Sequence, residues 1–183
     1  MNETIKTILT RYSCRDFADT PLTDEQLEII ARAALAAPSG VNRQPWRVIV
    51  VTDKALIEEL DAAGVDHLIS KGEMAALERI RSRGGRMLYN APCMVMVAID
   101  DSKYSRIDCG ILTQNVALAA HSLGLGNVIC AMAGMALEGS RGEELKARLC
   151  FPDGYGFGMS VLIGTPNSGK EPHALEWNKI IRI

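Results

Sequence analysis

No apolar run in this sequence approaches the ~20 residues that a membrane-spanning helix requires. The first ten residues mix polar and apolar side chains and lack a basic start followed by a long apolar core, so neither a signal peptide nor an anchor is expected. The five cysteines, Cys14, Cys93, Cys109, Cys130 and Cys150, are odd in number, scattered and never spaced C-x-x-C. That argues against a disulfide framework and a zinc site, and for free thiols in a cytoplasmic protein. His67, His121 and His173 are far apart and lack metal-ligand spacing. Basic residues are not in excess: 20 Lys and Arg against 22 Asp and Glu, a formal charge of -2, advertise no face for nucleic acid or an acidic membrane. Any phosphate bound is expected to be small and locally held. No repeat, low-complexity stretch or linker divides the 183 residues, and the apolar content suffices for one core, so a single domain over 1–183 is expected.

Periodicity supplies the elements. Thr23-Asp24-Glu25-Gln26 reads as a capped helix start, and Leu27, Ile30, Ala31, Ala34 and Leu35 recur at helical spacing until Pro38 ends the run. Residues 48–51 fit a buried strand, 53–62 a short helix behind an aspartate cap, and 73–87 a further helix frayed by Gly84-Gly85. Residues 94–99 are apolar on both alternating faces, which calls for the middle of a sheet covered on each side. A broad apolar surface of Ile111, Leu112, Val116, Ala119, Ala120 and Leu123 marks a buried helix over 107–123 that Gly124 stops. Residues 128–132, 142–149 and 157–163 then read as strand, helix and strand. Ile180, Ile181 and Ile183 form an apolar tail that is expected to be docked. The residues alone give a mixed sheet with helices.

Two early segments carry chemistry. In Arg11-Tyr12-Ser13-Cys14-Arg15, two arginines flank a serine, a pattern able to neutralise and hydrogen-bond a phosphate. In the segment from Ala37 to Trp46, Pro38 breaks a helix and frees the amides of Ser39 and Gly40. Asn42 and Gln44 then offer two-sided hydrogen bonding before Pro45 starts an extended run, which suits a polar heterocycle. Taken alone, the first segment also fits a capped turn after a solvated helix, with its arginines paired to Asp16 or Asp19, and the second an ordinary helix-to-strand loop.

Together with Tyr89-Asn90-Ala91-Pro92 before a strand, a helix from Asp108 towards Gly126, and Ile163-Gly164-Thr165-Pro166 near the end, these segments resemble the nitroreductase family of FMN-dependent oxidoreductases over nearly the whole chain. The resemblance implies an α+β fold with a mostly antiparallel central sheet flanked by helices, closed by homodimerisation, with FMN at the subunit interface. It implies that Arg11, Tyr12 and Ser13 meet the FMN phosphate and ribityl chain and that Arg15 meets the N1 and C2-carbonyl edge of the ring. Ala133 or Gly134 would lie beside N5, and Lys170 would complete the phosphate site. Pro38, Ser39, Gly40, Asn42 and Gln44 would cover the flavin from the second subunit. His173 stands where relatives often carry an arginine. The implied activity is ping-pong transfer in which NADH or NADPH reduces the flavin at N5 and a small acceptor such as a nitroaromatic, quinone or enone reoxidises it, with no side chain acting as nucleophile or obligatory acid. The tail would extend or wrap the partner's sheet. Relatives that dehalogenate aromatic rings or fragment flavin, and a non-catalytic flavin-binding protein, stay open as alternatives. A loop between Ala63 and Tyr89, holding Lys71, Met74, Arg79, Arg81 and Arg83, is expected to contribute to the substrate wall and to decide between the enzyme readings, while bound FMN that neither nucleotide reduces would favour the non-catalytic one.

Two motifs mislead. Gly164 to Lys170 matches the first seven positions of a phosphate-binding P-loop, but Glu171 stands in place of the Ser or Thr that would hold magnesium and Pro172 opposes an immediate helix. Gly124-Leu125-Gly126-Asn127 follows a helix and precedes a strand, the reverse of a dinucleotide fingerprint, and reads as a helix-ending turn. Cys14 fits a buried turn thiol, and Gln114 and Asn115 fit an interhelical hydrogen bond as well as a cofactor contact.

Overall fold

In the computed structural model, which describes residues 1–183, the first helix begins at a cap: the Asn2 side chain accepts from the Ile5 amide at 3.0 Å and opens α1 (Glu3–Thr10). α1 is the solvated helix that the plainer reading of Arg11 to Arg15 places before its turn. Its signal is short, Ile5, Ile8 and Leu9 at helical spacing, and that face is exposed. α2 (Asp24–Leu35) opens with a reciprocal capping box between Thr23 and Gln26. The remaining elements are β1 (Trp46–Val51), α3 (Lys54–Ser70), α4 (Met74–Arg81), β2 (Cys93–Ile99), α5 (Ser105–Ser122), β3 (Gly126–Ile129), α6 (Met135–Glu138), α7 (Gly142–Arg148) and β4 (Gly156–Gly164). No helix is long and apolar enough to cross a membrane.

Several expected boundaries move. The helix expected over 53–62 runs on to Ser70 because Gly64 is a packing position: a Cβ there would lie 2.3 Å from the Met87 Cε. The helix expected over 73–87 stops at Arg81, where the Gly85 amide turns back to the Ile80 carbonyl at 2.9 Å. The supposed loop between Ala63 and Tyr89 is therefore mostly helix. The strand expected over 128–132 begins and ends earlier, and residues 131–134 form a 3-10 turn. Gly124, at φ 75°, ends α5 as expected, with the Leu125 amide returning to the Ala120 carbonyl.

The four strands form one antiparallel sheet in the order β1-β2-β4-β3. β2 is buried along its whole length, and its alternation divides two cores. Met94 and Met96 face Leu60, Leu77 and Leu145 of α3, α4 and α7, while Cys93, Val95 and Val97 face Ile30, Ala34, Leu112 and Val116 of α2 and α5. This gives three layers, helix, sheet and helix. Asp61, buried in α3, accepts the Leu88 amide at 2.6 Å and so holds the turn in which Tyr89 and Asn90 adopt positive φ before β2.

The stretch 12–18 is fastened along the outer edge of β3 and the end of β4. Ser13 bridges Asn127 in parallel fashion, and the Cys14 amide donates to the Asn127 carbonyl at 2.9 Å. Phe17 bridges Pro166, and the Ala18 amide donates to the Thr165 carbonyl at 2.8 Å. β1, the opposite edge, is left without a neighbour, beside a groove of about 470 Å³. The apolar tail, expected to be docked, is not docked on its own protomer: Ile181 is 85% exposed and Ile180 and Ile183 are exposed with it.

The seam depends on one small residue. A Cβ on Gly126 would sit 2.7 Å from the Cys14 sulfur and 3.1 Å from the Pro166 Cβ. Gly126→Ala is expected to push 12–18 off the edge and to cost about 1–3 kcal/mol, the usual range for overpacking, read as a lower urea midpoint. An unchanged midpoint would mean that the seam is looser than drawn.

Candidate functional site

Fastening 12–18 beneath 165–170 creates a cleft of about 280 Å³ lined by Arg11, Tyr12, Ser13 and Arg15 on one side and by Lys170 and His173 on the other, with Glu171 and Pro172 completing the wall. Two further contacts hold the upper strand of chain in place. The Asn167 side chain donates to the Asp16 carboxylate at 2.8 Å, and the Tyr12 hydroxyl donates to the Ser168 carbonyl at 3.3 Å. The P-loop-like run is thus spent as a strap across the sheet edge.

Positive charge is in excess in this cleft, with three cations against the single carboxylate of Glu171. Arg11, Arg15 and Lys170 form no ion pair, whereas Arg141 and Arg148 both clamp Glu59, and Arg32, Lys54 and Lys146 each meet a carboxylate. The alternative of Arg11 and Arg15 pairing with Asp16 or Asp19 is not what forms, since Asp19 pairs with Lys54 and Asp16 with Asn167. One guanidinium nitrogen of Arg11, Nη1, is buried without any partner. Three unpaired cations, one carrying a desolvated donor, with a serine between them, suit a small anion such as a phosphate monoester.

Against Tyr12 and Thr10 lies His121, near the end of α5. Its ring meets Tyr12 edge-on at 6.2 Å, and its Nε2 lies 2.9 Å from the Thr10 hydroxyl. A Thr10 hydroxyl that gives its one proton to the Lys6 carbonyl can only accept from His121, an arrangement that calls for the proton on Nε2. Burial and then the charge of Arg11 hold the His121 pKa below its ordinary value.

The loop 38–44 is elsewhere. Its Gly40 amide donates to the Asp108 carboxylate at 3.3 Å, Arg43 reaches Asp100, and the Gln44 side chain donates to Asn42 Oδ1 at 2.9 Å. Asp108 lies in the first turn of α5 and His121 in its last, about 20 Å apart at 1.5 Å per residue. Pro38, Ser39, Gly40, Asn42 and Gln44 therefore do not line the Arg11 cleft of their own protomer. The loop is nonetheless built with strain. Val41, Asn42 and Gln44 all hold positive φ, and Val41, β-branched and fully exposed, packs on nothing in its own chain.

Ala133 and Gly134 are both buried, and neither lines the cleft. Gly134 is small because Phe157 packs on it, where a Cβ would meet the ring at 2.7 Å. The turn is still within electrostatic reach of Arg15. Burial pushes the Cys130 thiol up, opposed by the Met132 and Ala133 amides and then by the Arg15 charge. The largest cleft, about 830 Å³, lies at the far end of α5 between α7 and residues 151–157. There Lys103, Arg106 and Lys146 are balanced by Asp100, Asp101, Glu143 and Asp153, so it lacks the excess positive charge of the Arg11 cleft.

Two participants escaped the sequence reading. Asp108 anchors the 38–44 loop, and Asn127, a polar residue in an otherwise apolar strand, is wholly buried beside Ser13. The depressed pKa of His121 gives a direct check. Neutral His121 contributes stability in full above the unfolded-state value of about 6.5, and that contribution is lost as pH falls towards the folded value. Arg11→Gln is expected to raise the His121 pKa part of the way back, because burial remains, as followed by NMR titration of the ring. A pKa that stays put would place the Arg11 charge away from the ring.

Similarity to known proteins agrees with this geometry. The model of the Nitroreductase family matches residues 8–164. A protein of Archaeoglobus fulgidus, provisionally named an NADH dehydrogenase/NAD(P)H nitroreductase, is 32% identical over 177 residues, covering 93% of this chain and 90% of its own. An FMN reductase [NAD(P)H] of Bacillus subtilis is 31% identical, covering 94% of this chain and 70% of its own. The crystal structure of a nitroreductase with bound FMN from Desulfitobacterium hafniense superposes with a TM-score of 0.97 at 50% identity, over 100% of this chain and 99% of that one. The chain belongs to the nitroreductase family.

Proposed function

We propose that this chain is an FMN-dependent oxidoreductase that takes two electrons from NADH or NADPH and passes them to a small acceptor such as a nitroaromatic, a quinone or an enone. The observation that carries the reading is the set of three unpaired cations, Arg11, Arg15 and Lys170, converging with Ser13 on one cleft. The bound FMN of the Desulfitobacterium hafniense relative and the FMN reductase name of the Bacillus subtilis relative support it.

In this reading Arg11, Ser13 and Lys170, with Tyr12 beside them, hold the phosphate and ribityl chain, and His173 adds a polar wall. Arg15 reaches past the cleft towards the 131–134 turn, where Ala133 and Gly134 would border the ring, and its charge steadies the ring edge that becomes electron-rich on reduction. When bound, FMN supplies the two-electron chemistry, so the chain's task is to bind, orient and exclude water.

The loop 38–44 completes the site from a second copy. The 20 Å that α5 puts between the two groups of residues, the strained and uncovered Val41, and the exposed apolar side chains of Ile107 and Ile111 on α5 and of Ile5, Ile8 and Leu9 on α1 favour this homodimer. The bare β1 edge and the undocked tail offer a second place for the copies to join. Five free thiols, four of them buried, suit the cytoplasm.

The test is the visible spectrum of the purified protein followed by anaerobic titration with NADH and NADPH, with the assembly size measured in parallel. A yellow dimer bleached by one or both nucleotides is expected. Protein that stays colourless after soaking in FMN sinks the reading, flavin that neither nucleotide reduces sinks the enzymatic part, and a monomer that holds FMN sinks the shared site. Arg15→Ala is expected to weaken FMN retention about tenfold, the value of one charge-assisted hydrogen bond, and to make the flavin midpoint potential more negative. An unchanged potential would remove Arg15 from the ring edge.

A further inference from the structure

Six polar or charged residues are fully buried in this chain, and five of them are satisfied: Asp61 by the Leu88 amide, Ser105 by Asp100, Asp108 by the Gly40 amide, Thr113 by the Cys109 carbonyl and Ser160 by the Cys130 carbonyl. Asn127 is the exception. Both its amide oxygen and its amide nitrogen are buried with no partner, and the only other buried side-chain atom in that condition is Nη1 of Arg11.

The segments that carry these orphans are joined. Ser13 bridges Asn127, and bridged residues send their side chains to the same face of a sheet. Arg11 lies two positions before Ser13 and lines the same cleft. An unpaired guanidinium donor thus lines the anion cleft, and an unpaired amide acceptor belongs to the residue bridged to Ser13 of the same lining. Leaving such groups desolvated and unpaired costs folding free energy, and native proteins do so where a ligand or a function compensates.

We propose that Asn127 is a positioning residue for the cleft: its Oδ1 accepts a hydrogen bond from Arg11 Nη1 when an FMN phosphate draws the guanidinium inward, fixing Arg11 in the geometry that grips the anion. The proposal rests on the FMN reading above. An amide suits this role better than the alternatives. A carboxylate at 127 would pair with Arg11 permanently and cancel the charge that the phosphate needs, and an aliphatic side chain would leave Nη1 without an acceptor in either state.

Asn127→Leu and Asn127→Asp test it, using protein stripped of flavin and titrated with FMN and, separately, with riboflavin, which lacks the phosphate. For Asn127→Leu the FMN dissociation constant is expected to rise about tenfold, the worth of one hydrogen bond to a charged group. Riboflavin affinity should stay within about twofold, and the melting temperature of the flavin-free protein should hold or rise, because a buried unpaired amide has been removed. Asn127→Asp should weaken FMN by more than Asn127→Leu does, and it decides the matter if the leucine variant does not fold. FMN and riboflavin weakened in step, or FMN affinity unchanged, would each overturn the role. Wild-type protein that binds neither flavin would instead overturn the functional reading, whereas wild-type protein that binds FMN beside an indifferent leucine variant overturns only this inference.

Discussion

Everything at the cleft depends on how the stretch 12–18 is pressed against the sheet. Its bridge from Ser13 to Asn127 and its bond from Ala18 to Thr165 pin an irregular connection to the sheet edge, which leaves Arg11, Tyr12, Ser13 and Arg15 together on the cleft. Gly126 permits the close approach, and Asn167 and Ser168 bring the incoming strap, with Lys170 at its end, over the same place. Residues more than 150 positions apart meet because two backbones share one edge. The same contact covers the outer side of β3, so the sheet keeps only one bare rim, at β1.

Elsewhere in the molecule charge is used for holding. Glu59 on α3 takes both Arg141 and Arg148 and so ties α3 to α7, and Asp100 gathers Ser102, Ser105 and Arg43 at the start of α5, which drives its carboxyl well below the usual range. The buried Asp61 is opposite in kind. Burial raises its pKa despite the amide it accepts, so it weakens the fold as pH rises through the raised value while fixing the turn into β2. Arg11, Arg15 and Lys170 differ from these closed networks in converging on one cleft without an ion pair, with Nη1 of Arg11 buried and unpartnered.

Much of this could be read from the residues. The doubly apolar alternation of 94–99 is a property of a central strand, the Thr23-Gln26 box is local, and Gly124 ends a helix through its own backbone, so none of them depends on distant partners. What escaped was decided at a distance. Gly64 reads as a helix breaker until Met87 is seen lying against it, and the helix of 73–87 halts at Arg81 through a return bond from Gly85. Arg11, Ser13, Arg15 and Lys170 were legible as a group only through resemblance, since no spacing rule joins residue 13 to residue 170. Their distance from Asn42 and Gln44 was not legible at all, because it is set by the length of α5.

That length has a consequence for how the protein behaves in solution. With the two halves of the proposed site at opposite ends of a rigid rod, cofactor capture is tied to the meeting of two chains, and mass action then governs both together. Dilution would strip flavin as it parts the subunits, and flavin would in turn hold sparse subunits together. Colour would become a gauge of assembly as much as of occupancy.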